Sequence, residues 1–448
     1  MLPHQENISY VLRQISLAWV ILIATACNSD SPSHTNPSSR SSSSAPEERA
    51  QIITNLNIFN GEFFLDGLQA IKVDKGRVVS IGRDIDEGDA NIIDGNGMTL
   101  IPGLIDAHTH TFYESNLYRP IHFGVTTHLD MHTHPYTSVY ALNIHEENPI
   151  GSRARTDLFT SEILATSSNG HGTQFFPIST VSSPAAAATF VRSRAMSNAS
   201  YIKLVYEANP EEANDSISLE TAQAIINTAH ELGLLCIAHV SNNLSALDMV
   251  RAGIDGLAHA LSQEESIDRD LMLALQEAGT FVVPTLAVFA QYSSFTDYQA
   301  YLDHPKLNSI YSADERSKIG TAISRFDALS AEDIAQRDSR MQALLGQVTQ
   351  LYGADVPLLV GTDAPNSSTL YGLSIHQELE LLVLAGMPET EALISATGLS
   401  ADIFGIHDRG KLIPGRIADF VLIDGDPREN ISVTRNIHSV WKNGRLVQ

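Results

Sequence analysis

From about residue 100 to 365 the sequence repeats one alternation: a short run of Val, Ile and Leu, then a helical stretch that stops at Gly. SISLETAQAIINTAHELG opens on a Ser and Glu cap pattern and stops at Gly233, just before the apolar run LLCIAHV. SALDMVRAG likewise precedes GIDGLAHA, and DLMLALQEAG precedes TFVVPTLAVF. Strands that alternate with helices in this way are parallel βα units, so the pattern predicts an α/β fold. The apolar runs share a second property. His108 and His110 end IPGLIDAHTH, Lys203 lies in YIKLVYE, His239 ends LLCIAH, His259 ends GIDGLAH, and Asp363 ends VPLLVGTD. In a parallel barrel of alternating strands and helices, the C-terminal strand ends are where chemically active groups collect.

Residues two apart on a strand share a face, so His108 and His110 can both offer a ring nitrogen to one ion. Imidazole and carboxylate are ligands suited to zinc and its neighbours. A single core histidine is ordinarily a packed, hydrogen-bonded residue, but four at strand ends beside an Asp are not explained that way. Lys203 needs a partner, because a lone buried ammonium is costly, and a carboxylate such as Glu207 would serve. A second His-x-His, His132 and His134 in TTHLDMHTHP, has the same spacing and is open to local hydrogen bonding, a substrate contact or an extra ion. His171, in the Gly-flanked SSNGHGTQFF, is a candidate for lining a pocket, whereas His376 in SIHQELELL reads as a capping or packing residue. Cys236, inside LLCIAHV, reads as a small buried side chain.

The order of these residues, flanked by IPGLIDAHTH and GKLIPGRIADFVLIDGDP, resembles the amidohydrolase superfamily over roughly residues 50 to 448. The likeness is to its binuclear carboxylated-lysine type, including imidazolonepropionase-like and prolidase-like members. It implies a TIM-like (β/α)8 barrel with a small β-sandwich built from both chain ends. It also implies that Lys203 is carboxylated, giving an anionic bridge with two oxygens. On that pattern His108, His110, Lys203 and Asp363 hold the more buried of two divalent ions, most naturally zinc, and Lys203, His239 and His259 hold the second. A bridging hydroxide attacks a polarised carbonyl, Asp363 hands its proton to the leaving nitrogen, and Tyr206 is a candidate contact for the tetrahedral intermediate. The pair His132 and His134 follows the second strand, where the superfamily has no metal ligands.

Two departures bear on the substrate. The mononuclear deaminases of the superfamily generally carry a Glu three residues after the strand-five His, where this chain has Asn242, which argues against deamination. Prolidase-like members often place a Tyr shortly after that His to meet a substrate carboxylate, where this chain has Val240 and Ser241. The resulting expectation is a hydrolase of a carbon–nitrogen bond in an amide, dipeptide or cyclic amide. Alternatives are a lactone, carbamate or phosphotriester hydrolase and, from another class, a non-catalytic metal-binding lipoprotein.

With 448 residues the chain accommodates a barrel of about 250 residues plus a smaller domain. Short alternating strands punctuated by Gly, Asp and Asn at both ends predict a composite β domain from residues 50–103 and 410–448, enclosing a barrel at 104–409. The stretch from about 290 to 350 is longer than an ordinary crossover and is expected to supply a lid or pocket wall. There are 28 Lys and Arg against 52 Asp and Glu, a net charge of −24, which argues against a nucleic-acid partner and leaves a small-molecule substrate. Only two cysteines occur, so no disulfide framework is written. Cys27 ends ISLAWVILIATAC, an apolar stretch shorter than the ~20 residues needed to span a bilayer but suited to a signal peptide core. Ala24, Thr25 and Ala26 before Cys27 resemble a bacterial lipobox, so residues 1–27 read as a signal segment with Cys27 as its lipidation site, the alternative being a signal cleaved to leave a soluble periplasmic protein, and the Ser-rich 28–49 reads as a disordered tether. The expected location is the bacterial cell envelope, as a periplasm-facing lipoprotein that meets the membrane only through this N-terminal anchor.

Overall fold

The computed structural model describes residues 49–134, 154–208, 216–296, 298–366 and 369–447, so the lipobox reading at Cys27 and nearly all of the tether lie outside the described residues. Among the described residues no helix is long and apolar enough to cross a membrane.

Segments from both ends of the described residues enter one mixed sheet of eight strands. Strand β1 (Gln51–Ile58) serves two sets of partners, because a bulge between Ile53 and Leu56, with Asn55 at φ 54°, bends it. Before the bulge it pairs with β2 (Gln69–Asp74) and β4 (Asn91–Asp94); after it, Asn57 and Ile58 pair with β5 (Thr99–Pro102). β3 (Arg77–Gly82) returns along β2 through Lys75 and Gly76, both at positive φ as a tight hairpin turn requires. From the other end of the chain, β13 (Phe420–Ile423) adds antiparallel to β5, followed by β14 (Ile437–Lys442) and β15 (Arg445–Leu446). The expected sandwich is thus one connected path, β15-β14-β13-β5-β1-β2-β3 with β4 on β1, bent around a core that includes Ile53, Leu56, Ile71, Leu100, Phe420 and Trp441.

The intervening strands are parallel. β6 (Leu104–Thr109), β7 (Val125–Asp130) and β8 (Asp157–Thr160) form one sheet; β9 (Ile202–Val205), β10 (Cys236–His239), β11 (Gly256–Ala258) and β12 (Phe281–Val283) form another. Single parallel bridges link Ala165 to Leu204, Val282 to Leu358 and Thr109 to Ala364. Backbone bonds accompany them: Ala165 N–H to Lys203 C=O at 2.8 Å, Leu359 N–H to Val282 C=O at 2.9 Å, and Ala107 N–H to Val360 C=O at 2.8 Å. Alternate side chains divide between two cores, as the period of two demands. Ile105, Ala107, Leu129, Ile237, Ala258, Val283 and Leu359 pack together in one cluster. Leu104, Val125, Leu204, Ala238, Leu257, Val282 and Leu358 belong to the larger cluster with the helices, where full burial of each Leu or Val is worth roughly 1.5–3 kcal/mol.

The helices obey the terminal signals. In α1 (Pro184–Met196), α2 (Leu219–Glu231) and α3 (Asn243–Arg251) the side chains of Ser183, Ser218 and Asn242 accept a first-turn N–H, and α4 (Arg269–Ala278) ends at Gly279 in the left-handed region. Between β12 and Leu358 come α5 (Leu286–Phe289), α6 (Tyr298–Leu302), α7 (Leu307–Ile310), α8 (Ala313–Asp327) and α9 (Ala331–Gly353), and α10 (Ser374–Leu384), α11 (Glu389–Ser395) and α12 (Gly398–Ile403) follow. His376 on α10 is buried between Thr434 Oγ1 (3.0 Å) and the Phe123 carbonyl (3.1 Å), the packing role its position suggested. A buried ionic cluster ties β8 to the mixed sheet: Asp157 accepts from Arg409 and from Lys442 Nζ (2.6 Å), and Lys442 also pairs with Asp419.

Candidate metal centre

The four histidines, Lys203 and Asp363 converge on one cavity of about 220 Å³. One ligand atom each from His108, His259 and Asp363 lies within 4.8 Å of the others. Asp363 Oδ1 is 2.8 Å from His110 Nε2 and 3.4 Å from His108 Nε2. The rings of His108 and His259 are 4.8 Å apart, and those of His239 and His259 4.5 Å. Lys203 is buried, and its Nζ has no hydrogen-bond partner among the described residues. Glu207 does not supply one: its Oε2 accepts from Ser241 Oγ (2.8 Å), Asn242 Nδ2 (3.2 Å) and Ser245 Oγ (3.3 Å), and its Oε1 lies 3.8 Å from His239 Nε2.

Several groups hold this arrangement. Asp106, two residues before His108, accepts from Thr362 N–H (3.0 Å) and Thr362 Oγ1 (2.7 Å), which locks the Asp363 segment beside β6. Gly361 permits the approach, since a Cβ there would lie 2.4 Å from Val283 and 2.8 Å from the His108 Cβ. His259, Thr285 and Asp363 all stand at positive φ (79°, 50° and 55°), a backbone cost that a surrounding structure must impose and that clusters at functional sites. Thr285 Oγ1 lies 2.8 Å from His259 Nδ1, and the His132 carbonyl lies 3.3 Å from His110 Nδ1, so in both rings Nε2 is left for the cavity. Glu378 accepts from the N–H groups of Leu286 (2.9 Å) and Ala287 (2.7 Å), fixing the short helix α5 whose Val288 and Phe289 form part of the wall.

Burial dominates the electrostatics. It lowers the Lys203 amine to about 7 and His259 to about 3, and takes His108 and His239 well below the usual imidazole range. Burial also pulls on His110, but the Asp363 carboxylate beside it prevails and its affinity for a proton rises. The same contact, against the opposing effect of burial, holds Asp363 below the ordinary carboxylate value. The neutral imidazoles of His108, His239 and His259, an ionised Asp363 and the unprotonated fraction of Lys203 are ligand-competent forms. The buried His108 Nδ1 and Lys203 Nζ, which have no hydrogen-bond partner among the described residues, require an explanation, and a cation in the cavity supplies one. The donor set fits zinc or a similar divalent ion.

The remaining residues singled out by sequence divide. His132 and His171 line the cavity, the His171 ring stacking on His239 at 4.6 Å. His134 is not on the wall; its ring lies against Phe176 (4.5 Å) and Tyr113 (6.4 Å). Tyr206, just past the end of β9 and an odd three residues from Lys203, is turned away, its hydroxyl donating to Asp248 Oδ2 at 2.9 Å. Asn242 caps α3, accepting from Ser245 N–H at 2.8 Å. The stretch 290–350 supplies no wall residue among those described; α6, α7 and α8 instead pack on Phe123 and Leu373, while α9 packs into the large core. Gln347 of α9 holds the loop after β11 through Leu261 N–H (2.8 Å) and C=O (3.0 Å). The apolar wall comes from Phe112, Leu164, Phe175, Val205, Val240 and Phe289.

Residues 99–447 match the amidohydrolase family. An adenine deaminase of Clostridium perfringens is 24% identical over 411 residues, covering 88% of this chain and 58% of the deaminase. A dihydroorotase of Elusimicrobium minutum is 34% identical over 59 residues, 13% of this chain and 14% of the relative. The chain therefore spans little more than half of the first of these relatives and a small part of the second. Among solved structures, a Xaa-Pro dipeptidase with bound methionine in the active site superposes with a TM-score of 0.69 at 19% identity, over 89% of this chain and 100% of the other. The Aspergillus niger ochratoxinase gives 0.67 at 19%, over 89% and 96%. At these identities the two structures show a shared fold. The family match covers most of the sequence and all six converging residues: this chain belongs to the amidohydrolase family.

Proposed function

We propose that this protein hydrolyses a carbon–nitrogen bond of an amide, dipeptide or cyclic amide with two divalent ions. The two parallel sheets and the backbone bonds at their edges support a single (β/α)8 barrel with the site at its C-terminal mouth. The observation that carries the reading is Lys203: buried, without a hydrogen-bond partner among the described residues, and lowered by burial to about 7, so that a large share of it is unprotonated near neutral pH beside His108, His259 and Asp363. An unprotonated amine is the form that adds to carbon dioxide, and the resulting carbamate would give Lys203 two ligand oxygens. His108, His110, Asp363 and the modified Lys203 would hold one ion, and Lys203, His239 and His259 the other. When bound, the ions would make a water nucleophilic at neutral pH and polarise the scissile carbonyl.

The chain's own groups do the rest. His110 and His259 are held in one orientation by the His132 carbonyl and Thr285. Asp363 takes the proton of the attacking water and returns it to the nitrogen as the C–O bond forms and the C–N bond breaks. Phe112, Phe175 and Phe289 keep bulk water from the carbonyl and bind an apolar group of the substrate.

Deamination is the second reading, favoured by the likeness to adenine deaminase. Against it stands Asn242, an amide engaged as a helix cap where a proton-carrying carboxylate would be needed. A turnover screen of N-acyl amino acids, dipeptides, cyclic imides, lactones and nucleobases on metal-analysed protein decides. Hydrolysis of an amide faster than ammonia release from any nucleobase is expected; the reverse order overturns the assignment.

A further inference from the structure

One carboxylate is held just behind the cavity wall. Glu207 lies two residues past the Val205–His239 pair that ends the β9–β10 ladder, which brings it level with Ser241. Three donors from the turn into α3 grip its Oε2: Ser241 Oγ (2.8 Å), Asn242 Nδ2 (3.2 Å) and Ser245 Oγ (3.3 Å). That turn is itself fixed, because Asn242 caps α3 through the Ser245 N–H and also donates to Gln263 Oε1 at 3.3 Å. Charge-assisted bonds of this kind offset the cost of burying a carboxylate, and the Glu207 side chain is only 9% exposed. They also aim the other oxygen: Glu207 Oε1 lies 3.8 Å from His239 Nε2.

The His239 ring has a use for such a neighbour. His171 stacks on it at 4.6 Å and 24°, and the His259 ring meets it edge-on at 4.5 Å and 70°. Ring packing fixes the plane but is nearly indifferent to a half-turn about the Cβ–Cγ bond, which exchanges each nitrogen with a carbon. A carboxylate at one edge is not indifferent. It favours an N–H over a C–H there, and a neutral imidazole with its proton on Nε2 has its lone pair on Nδ1. His239 and Ser241 are wall residues of the cavity and Glu207 is not, so the edge that faces Glu207 is turned from the cavity and Nδ1 is left for it. This is the reverse of His110 and His259, whose Nδ1 atoms are engaged by the protein.

We propose that Glu207 is a positioning residue for one of the two ions: its Oε1 selects the His239 ring orientation and tautomer in which Nδ1 is the ligand atom. This rests on the two-ion reading of the cavity given above.

The test is titration of the zinc-loaded chain with a chromogenic chelator that withdraws the ions in two steps, for wild type, Glu207→Gln and Glu207→Asp. Glutamine is nearly isosteric but uncharged; aspartate keeps the charge on a shorter arm. In Glu207→Gln one step should weaken about 10- to 100-fold, the scale of a lost partner of a metal-binding histidine, while the other stays within about threefold. Glu207→Asp should recover part of the loss. Spectra of ¹⁵N-histidine protein loaded with zinc add a signature that packing alone would not move. A zinc-bound Nδ1 and a protonated Nε2, assigned by their absence in His239→Gln, should be present in wild type and weakened in Glu207→Gln. Should Glu207→Gln not fold, Ser241→Ala, which removes the shortest bond to Oε2, takes its place, with a smaller loss at the same step. Both steps weakened alike, as a general loosening of the site would produce, or neither weakened, overturns the proposal and leaves the two-ion site standing. A zinc-bound Nε2 on His239 overturns it as well. Wild type that holds one ion or none removes the two-ion reading itself.

Discussion

Thr285→Val isolates one contact of the centre. Thr285 is fully buried, and its Oγ1 lies 2.8 Å from His259 Nδ1. Valine keeps the branched shape at a residue already at φ 50°, so the backbone demand is unchanged in kind and only the hydroxyl is lost. The His259 ring nitrogen, in a residue 7% exposed, is then left without its partner. Leaving a buried polar group unsatisfied costs about 1–3 kcal/mol, which corresponds to roughly a 5- to 150-fold weaker hold on the ion that His259 helps to bind. That range brackets the 10- to 100-fold typical of residues that orient a metal-binding histidine. Ion affinity is measured by competition with a chromogenic chelator, and kcat/KM on the best amide substrate in parallel. Both should fall within that range, and Thr285→Ser should stay within about threefold of wild type. Affinity and rate within twofold of wild type in Thr285→Val would refute the orienting role.

Asp363→Asn keeps a ligand oxygen but cannot carry a proton, so kcat should fall by about 10² or more while elemental analysis shows a smaller loss of metal; near-normal rates would rule out the shuttle. Gly361→Ala places a methyl 2.4 Å from Val283, and a destabilisation of about 1–3 kcal/mol in urea titrations, with reduced metal occupancy, is expected. Asp157→Asn breaks a buried ion cluster and should cost about 3–5 kcal/mol at neutral pH. Burial alone would raise the Asp157 value, but Lys442 and Arg409 prevail and hold it below the ordinary 3.8. Its stabilisation is therefore complete above about pH 3.8 and lost as pH falls through the lower folded value, so the gap between wild type and variant should close in acid; a constant gap from pH 7 to 3 would contradict this.

The parts of the fold legible in the sequence were those written in local chemistry. Gly233, Gly253 and Gly279 stand at positive φ where the helical patterns stop, and the apolar runs before His108, Lys203, His239 and His259 are strands. Asp106 was within reach of the same argument, because two residues before His108 is the same face of β6. The period of two also excludes Tyr206, three residues from Lys203 on the opposite face. Thr285 and Glu378 carried no local signal: the first meets a histidine 26 residues earlier, the second caps a helix 91 residues before it. The long stretch after β12 was misread because aromatic residues suit a pocket wall and a buried helical cluster equally well. Tyr301, Leu307 and Tyr311 are core residues of the latter.

The most direct test of a two-ion centre built on Lys203 is the metal content of purified wild type and Lys203→Ala, determined by elemental analysis alongside ¹³C spectra of protein equilibrated with labelled bicarbonate. Wild type should hold about two divalent ions per chain and show a carbamate resonance; Lys203→Ala should lose most of the metal and the resonance, with occupancy partly restored by added short carboxylates. One ion per chain in both proteins, with no carbamate signal in either, would contradict the account.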